Sequence, residues 1–279
     1  MRAVDVYRIT DQLDDATLDV LTARLEARGK HPRFETMMRE YLDAMAIDSA
    51  QCVLDLGCGT GVVARTIARR PPFAGRVVGV DRSPHLVAAA SRLAGEEGIS
   101  ERVAFRTGDS HTLELRDMEF DAVVAHTLFS HLEDPRSVLT EIVRVLQPGG
   151  KVGIFDGDYA SMTFASDDPA VGKATDEMII NAIVTNPRVM RQMPQLLQEA
   201  GLGLTAAFAY IVADIGRADF WDGSVKSLIR LLPKAGAMTE SQAEAWAAAM
   251  LARSEQGTFF GASNYYGFVA TKPRERPAR

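Results

Sequence analysis

The chain has 279 residues, 47% of them hydrophobic and 24% charged, with a net charge of −6 and a sequence pI near 5.5. These values suit one soluble domain of ordinary size, or one domain with a cap, and argue against a nucleic-acid backbone as main partner, which needs a basic face. The two cysteines, Cys52 and Cys58, stand too close together for an extracellular disulfide framework, and no 18-residue apolar window or secretory core occurs, so a cytoplasmic protein without a membrane span is expected.

Residues 11–46 read as helical, interrupted at Gly29 and Pro32. From 51 to 156 short apolar runs alternate with helical stretches. The strand candidates are "QCVLDL", "RVVGVD", "RVAFRTGD", "FDAVVAH" and "KVGIFD". They are apolar throughout rather than alternating, as strands covered on both faces should be. Ser83-Pro84 and Asp134-Pro135 each put a capping side chain before a proline at the first helical position. "QPGG" at 147–150 reads as a helix stop and turn. This alternation predicts an α/β fold, a doubly wound, mostly parallel sheet with helices on both faces.

After 156 the rhythm changes. An insertion is expected over 157–186, with a helix from Pro169, and another helix opens at Asn186-Pro187. "LTAAFAYIVADI" reads as a strand, 217–256 as two helices with a capping box at Thr239 and Gln242, and "NYYGFVATK" as a last strand. The expected organisation is therefore N-terminal helices over 1–49 as part of a lid, an α/β domain over 50–272 with lid insertions at about 157–186 and 217–256, and a tail over 273–279.

Residues 52–69, "CVLDLGCGTGVVARTIAR", hold the sharpest signal. A dinucleotide fingerprint is G-x-G-x-x-G/A, which after Gly57 and Gly59 needs a small residue at 62, where Val62 stands. Here the third glycine is Gly61, and Asp55 precedes the turn. A carboxylate repels a pyrophosphate and suits a cationic amine, which S-adenosylmethionine carries without any phosphate. Asp81 ends the second strand and can accept from both ribose hydroxyls, in that nucleoside or in NAD alike. Asp109, in "TGDS", can accept from an adenine amino group.

The motifs "VLDLGCGTG", "VVGVD", "RVAFRTGD", "FDAVVAHTLFSHLEDP" and "VLQPGGKVGIFD" resemble, in order and spacing, those of the class I S-adenosylmethionine-dependent methyltransferases, with the ubiquinone/menaquinone C-methyltransferase-like branch nearest. The resemblance covers 50–156 well and 187–272 loosely. It implies a seven-stranded Rossmann-like sheet with a helical lid, S-adenosyl-L-methionine as cofactor and S-adenosyl-L-homocysteine as product; no metal is expected, because no cysteines or histidines stand at metal-ligand spacing. It puts Gly57, Cys58, Gly59 and Gly61 at the methionine moiety, Asp55 near its amine, Asp81 at the ribose, and Arg82, Gly108, Asp109 and Ser110 around the adenine, with His126 close by. Tyr7 and Arg33 are expected to close over the cofactor, Arg33 pairing with the methionine carboxylate, although an exposed helix-start arginine is the plainer reading.

Candidate catalytic residues are His131 and His126, at the carboxyl edge of the fourth strand, and Asp156 after the fifth. His131 is the candidate general base; His126 is expected rather to shape the pocket, and a loop cap is the alternative for Asp156 and for Asp158. His85 and His111 read as surface residues. Phe220, Trp221, Phe259, Phe260 and Tyr265, with Met178, Met190 and Met193, are candidates for an apolar substrate chamber or for plain core. The expected function is methylation of a small organic acceptor: a quinone, phenol or secondary metabolite. No nucleic-acid partner is expected, and a homodimer is compatible. The alternatives are a protein that binds S-adenosylmethionine without transferring its methyl, and, further off, an NAD-dependent oxidoreductase.

Overall fold

A computed structural model describes residues 4–274, so the end of the expected tail, from 275, lies outside the described residues. Two helices, α1 (Asp15–Gly29) and α2 (Pro32–Ala44), precede the sheet, parted at the predicted break. The strands are β1 (Cys52–Leu56), β2 (Arg76–Asp81), β3 (Val103–Thr107), β4 (Phe120–His126), β5 (Leu146–Phe164), β6 (Gly203–Gly216) and β7 (Phe259–Thr271). They lie in the order β3-β2-β1-β4-β5-β7-β6, parallel except for β7, which runs antiparallel to β5 and β6. The helices among them are α3 (Val62–Ala68), α4 (Pro84–Glu96), α5 (Pro135–Val145), α6 (Pro169–Ile183), α7 (Val189–Glu199), α8 (Phe220–Lys234) and α9 (Glu240–Gln256). No helix is long and apolar enough to cross a membrane.

The sheet is packed on both faces. Along β4, Ala122 and Val124 enter one core, while Val123 and Ala125 enter the other. The period of two that separates them is the pleat itself. The larger core collects α1, α2, α3, α6, α8 and α9; the smaller collects α5 and α7. The caps form where the sequence signals them: Ser83 Oγ accepts from the Leu86 N–H, Asp134 from Arg136 and Ser137, and Thr239 with Gln242 closes a complete capping box.

The chain departs from the sequence-based expectation in three places. First, β5 does not stop near 156 but runs to Phe164, because β7 continues to pair with it as far as Gly261. The inserted segment is therefore shorter than expected and centres on α6. Second, "QPGG" lies within the start of β5, where Gly149 at φ 84 and a register shift against β4 absorb the turn. Third, Asn186-Pro187 forms a turn before α7 rather than its first residues. The Thr185 and Asn186 N–H groups donate to the Ser130 carbonyl, and Pro187 O accepts from Ala160.

The aromatic and methionine candidates divide between core and surface. Phe220, Trp221, Phe259 and Tyr265 belong to the larger core, Met190 and Met193 to the smaller, and Met178 and Phe260 lie exposed.

Candidate functional site

β1 and β4 are neighbours whose connections run to opposite sides of the sheet, and the crevice at such a switch point is where doubly wound sheets bind ligands. The glycine turn stands there. Gly57, Gly59 and Gly61 take φ values of 73, 52 and 77, which glycine adopts without Cβ strain. The Gly57 and Cys58 N–H groups both donate to Val80 O, at 2.8 and 3.0 Å, fastening the turn to β2.

Two acids face this turn. Asp55, 1% exposed, accepts from the Ala64 N–H in the first turn of α3 at 3.0 Å. Asp81 accepts from the Gly59 N–H at 2.8 Å and from Ser83 at 2.9 Å. Burial pushes the Asp55 carboxyl up to about 7 against the Ala64 hydrogen bond, with the charge of Asp81 adding to the rise. Burial also raises Asp81, opposed by its two N–H donors. Carboxylates so placed favour a cation and hydroxyl donors over a phosphate.

A cavity of about 430 Å³ opens over the turn. Of the candidates, it is lined by Tyr7, Asp55, Gly57, Cys58, Gly59, Asp81, Arg82, Gly108, Asp109, Ser110, His126 and His131. Gly61, Arg33 and Asp156 are not part of the lining. At Gly61 an added Cβ would lie 2.6 Å from the Phe105 ring, so this glycine serves the packing of the turn against β3. Arg33 turns away to the Ala213 carbonyl and the buried Asp214 carboxylate, at 2.9 and 2.7 Å. Asp156 is fully buried and accepts from Ser130 N, Ser130 Oγ and Gly157 N, which is the loop-cap alternative. Asp158, likewise buried, is held by Arg191 through three contacts of 2.9–3.0 Å.

The histidines differ sharply in state. His126 stacks on Phe155 at 4.7 Å, and its Nδ1 lies 3.0 Å from the Tyr41 hydroxyl. Burial, with Arg28 nearby, pushes its pKa down to about 3, so it is neutral at any working pH. His131 goes the other way. Burial alone would lower it, but the charge and hydrogen bond of Asp5 outweigh that and raise it. Asp5 Oδ2 is 2.8 Å from His131 Nδ1, and the Tyr7 ring packs 4.7 Å from the imidazole. His111, expected at the surface, reaches the cavity rim with its Nδ1 2.9 Å from Asp109.

Sequence reasoning missed a cationic wall. Arg24 and Arg28 of α1 line the cavity, and neither pairs with a carboxylate among the described residues. Arg28 donates to Thr127 Oγ1 at 2.8 Å and lies 5.5 Å above the Phe34 ring. Thr127 is a β-branched residue at φ 55, a conformation costing about 1–3 kcal/mol that clusters at functional sites. The one available sequence signal was the i, i+4 spacing of the two arginines on a single helix face.

A methyltransferase-domain family model matches residues 53–150. A protein of transposon TN4556 from Streptomyces fradiae, itself uncharacterized, is 31% identical over 255 residues, covering 91% of this chain and 70% of that one. The sterol 24-C-methyltransferase of Aspergillus fumigatus is 38% identical over 112 residues, covering 40% of this chain and only 29% of the fungal enzyme. Among solved structures, the cyclase SpnF superposes with a TM-score of 0.62 at 20% identity, over 98% of this chain and 99% of that one, a likeness of fold.

Proposed function

Because the chain belongs to the class I S-adenosylmethionine-dependent methyltransferases, we propose that it methylates a small organic acceptor in the cavity above the glycine turn. The relatives point the same way, since the Aspergillus fumigatus enzyme is by name a sterol methyltransferase. The observation that carries the reading is the pair of acids, buried Asp55 and half-buried Asp81, across a three-glycine turn, a pairing that fits an ammonium and a ribose and opposes a pyrophosphate. The free cysteines Cys52 and Cys58 fit a cytoplasmic setting.

The residues present fit the cofactor. Asp55 would hold its amine, with Gly57, Cys58 and Gly59 along the methionine chain. Asp81 would accept from the ribose, and Arg82, Gly108, Asp109 and Ser110 would border the adenine. Arg28, in place of Arg33, would meet the methionine carboxylate, because its guanidinium faces the cavity while Arg33 is engaged by Asp214. When bound, S-adenosylmethionine supplies a methyl group activated by a sulfonium.

The chain's own part is to align the acceptor, exclude water and take a proton. With Nδ1 of His131 bound to Asp5, Nε2 is the nitrogen left to accept a proton from a hydroxyl acceptor. His126, neutral and stacked on Phe155, shapes the floor without titrating. Tyr7 closes the roof against His131.

The test is calorimetry with S-adenosylhomocysteine and NADH, followed by a mass-spectrometric screen of quinones, phenols and hydroxy acids with labelled methyl donor. Micromolar binding of the homocysteine nucleoside and a labelled product are expected. Binding of NADH alone would overturn the reading.

A further inference from the structure

Elsewhere in this chain the buried and half-buried arginines pair with carboxylates: Arg65 with Glu26 and Glu97, Arg70 with Asp43 and Asp48, and Arg144 with Glu141 and Asp117. Arg24 and Arg28 break this pattern. Both face the cavity, and neither has a carboxylate partner among the described residues. Among the described residues Arg24 makes one side-chain hydrogen bond, to the Tyr7 hydroxyl at 3.4 Å, and its enclosed Nε has no hydrogen-bond partner. A half-buried guanidinium without a carboxylate partner is one that an anionic ligand can satisfy on binding.

The methionine carboxylate of the donor can satisfy one of the two guanidiniums. Arg28 is the one beside the turn: its neighbour Gly29 abuts Val62 at the start of α3, and its own guanidinium is tied to Thr127 after β4. Arg24 lies one helical turn back on the cavity lining, with its guanidinium at the Tyr7 hydroxyl, and the Tyr7 ring packs 4.7 Å from His131. We propose that Arg24 anchors a carboxylate on the methyl acceptor, so that the substrates are hydroxy acids whose hydroxyl is presented to His131. The inference rests on the methyl-transfer reading above and narrows its substrate class. A planar guanidinium suits this task because it binds a carboxylate in two-point fashion and fixes its orientation.

The experiment compares wild type, Arg24→Gln and Arg24→Lys by calorimetry. Each is titrated with S-adenosylhomocysteine and with 5′-methylthioadenosine, which lacks the amino-acid carboxylate. The protein saturated with S-adenosylhomocysteine is then titrated with acid and methyl-ester pairs of 4-hydroxybenzoate, 4-hydroxycinnamate and 10-hydroxydecanoate. Wild type should bind at least one acid tenfold or more tightly than its ester. Arg24→Gln should abolish that preference, Arg24→Lys should keep part of it, and both should bind S-adenosylhomocysteine within twofold of wild type. No acid preference in wild type, or a preference that survives Arg24→Gln, overturns the proposal. So does a loss of S-adenosylhomocysteine affinity in Arg24→Gln with methylthioadenosine unchanged, since Arg24 would then hold the donor's carboxylate. Failure of wild type to bind S-adenosylhomocysteine at all overturns the methyl-transfer reading itself, and this inference with it.

Discussion

Asp5 Oδ2 lies 2.8 Å from Nδ1 of His131, across 126 residues of sequence. The same oxygen accepts from Thr185 Oγ1 at 3.1 Å, and the other carboxylate oxygen from the Tyr7 N–H at 3.0 Å. The N-terminal segment, the loop after β4 and the turn after α6 thus converge on one carboxylate. Asp5 orients the imidazole and does not itself need to touch the acceptor.

This arrangement predicts a pH signature. A base works deprotonated, and the His131 pKa is raised above 6.5. Turnover should therefore rise with pH through a midpoint above that value. In Asp5→Asn the raising charge is gone and burial dominates, so the midpoint should move to lower pH. The plateau rate should fall about 10²–10⁴-fold, the usual range for a mispositioned base. A pH–rate profile of both proteins decides it, and an unmoved midpoint in Asp5→Asn sinks the dyad.

The convergence also marks what sequence reading reaches. The glycine turn and its two acids were legible because strand, turn and helix are contiguous, and their chemistry depends on spacing within a few residues. Asp5, Arg24 and Arg28 were not, because their partners lie far along the chain: Arg28 meets Thr127 across 99 residues. The engagement of Arg33 was hidden too, since only the three-dimensional course of β6 brings Asp214 to it. The overrun of β5 was hidden for a related reason: what extends it is β7, a partner strand about a hundred residues later. The α6 and α9 starts, set by their own caps, were plain.

Arg28→Gln should weaken S-adenosylhomocysteine binding about 10–100-fold, the 1.5–3 kcal/mol typical of a hydrogen bond to a charged group. Arg33→Ala should leave that affinity within about twofold and instead lower the thermal midpoint, because it strips the buried Asp214 of its cation. Paired calorimetric and thermal-unfolding measurements separate the two arginines. Equal losses of affinity in both would contradict the assignment.

Affinity for the donor should itself depend on pH through Asp55. Its carboxyl sits at about 7 in the ligand-free protein, and an ammonium favours the ionised form. Between pH 6 and 8 the ionised fraction rises about tenfold, and the association constant should follow it. Asp55→Asn should bind more weakly and lose the slope. Titrations with S-adenosylhomocysteine at three pH values suffice, and a flat wild-type response would remove Asp55 from the amine.

Gly61 makes a prediction about folding rather than binding. Its φ is 77, and a Cβ there would meet the Phe105 ring at 2.6 Å and Ala90 Cβ at 3.2 Å. Gly61→Ala must adopt a left-handed conformation and push a partly buried aromatic aside. Strain and overpacking together should cost about 2–4 kcal/mol. Denaturant unfolding measures this directly. A variant as stable as wild type would show that β3 can yield.

His126 supplies a stability signature distinct from catalysis. Its folded pKa is about 3, against 6.5 in the unfolded chain. The unfolded state therefore binds the extra proton as pH falls below 6.5, and stability is lost down to about pH 3. Between pH 7 and 5 this one group should remove about 2 kcal/mol, at 1.36 kcal/mol per pH unit once past the unfolded value. Asp55 works in the opposite sense over the same window: its raised folded pKa makes the folded state the better proton binder. The raised Asp81 and Asp156 act in the same sense as Asp55, so the wild-type slope mixes several groups and the informative quantity is a difference. In His126→Phe the acid-side loss should vanish while the Asp55 contribution remains, so this variant should gain stability relative to wild type as pH falls from 7 to 5. Urea unfolding of both proteins at the two pH values reads the change. An unchanged gap would mean that His126 is protonated inside the fold, which its stacking on Phe155 and its bond to Tyr41 oppose.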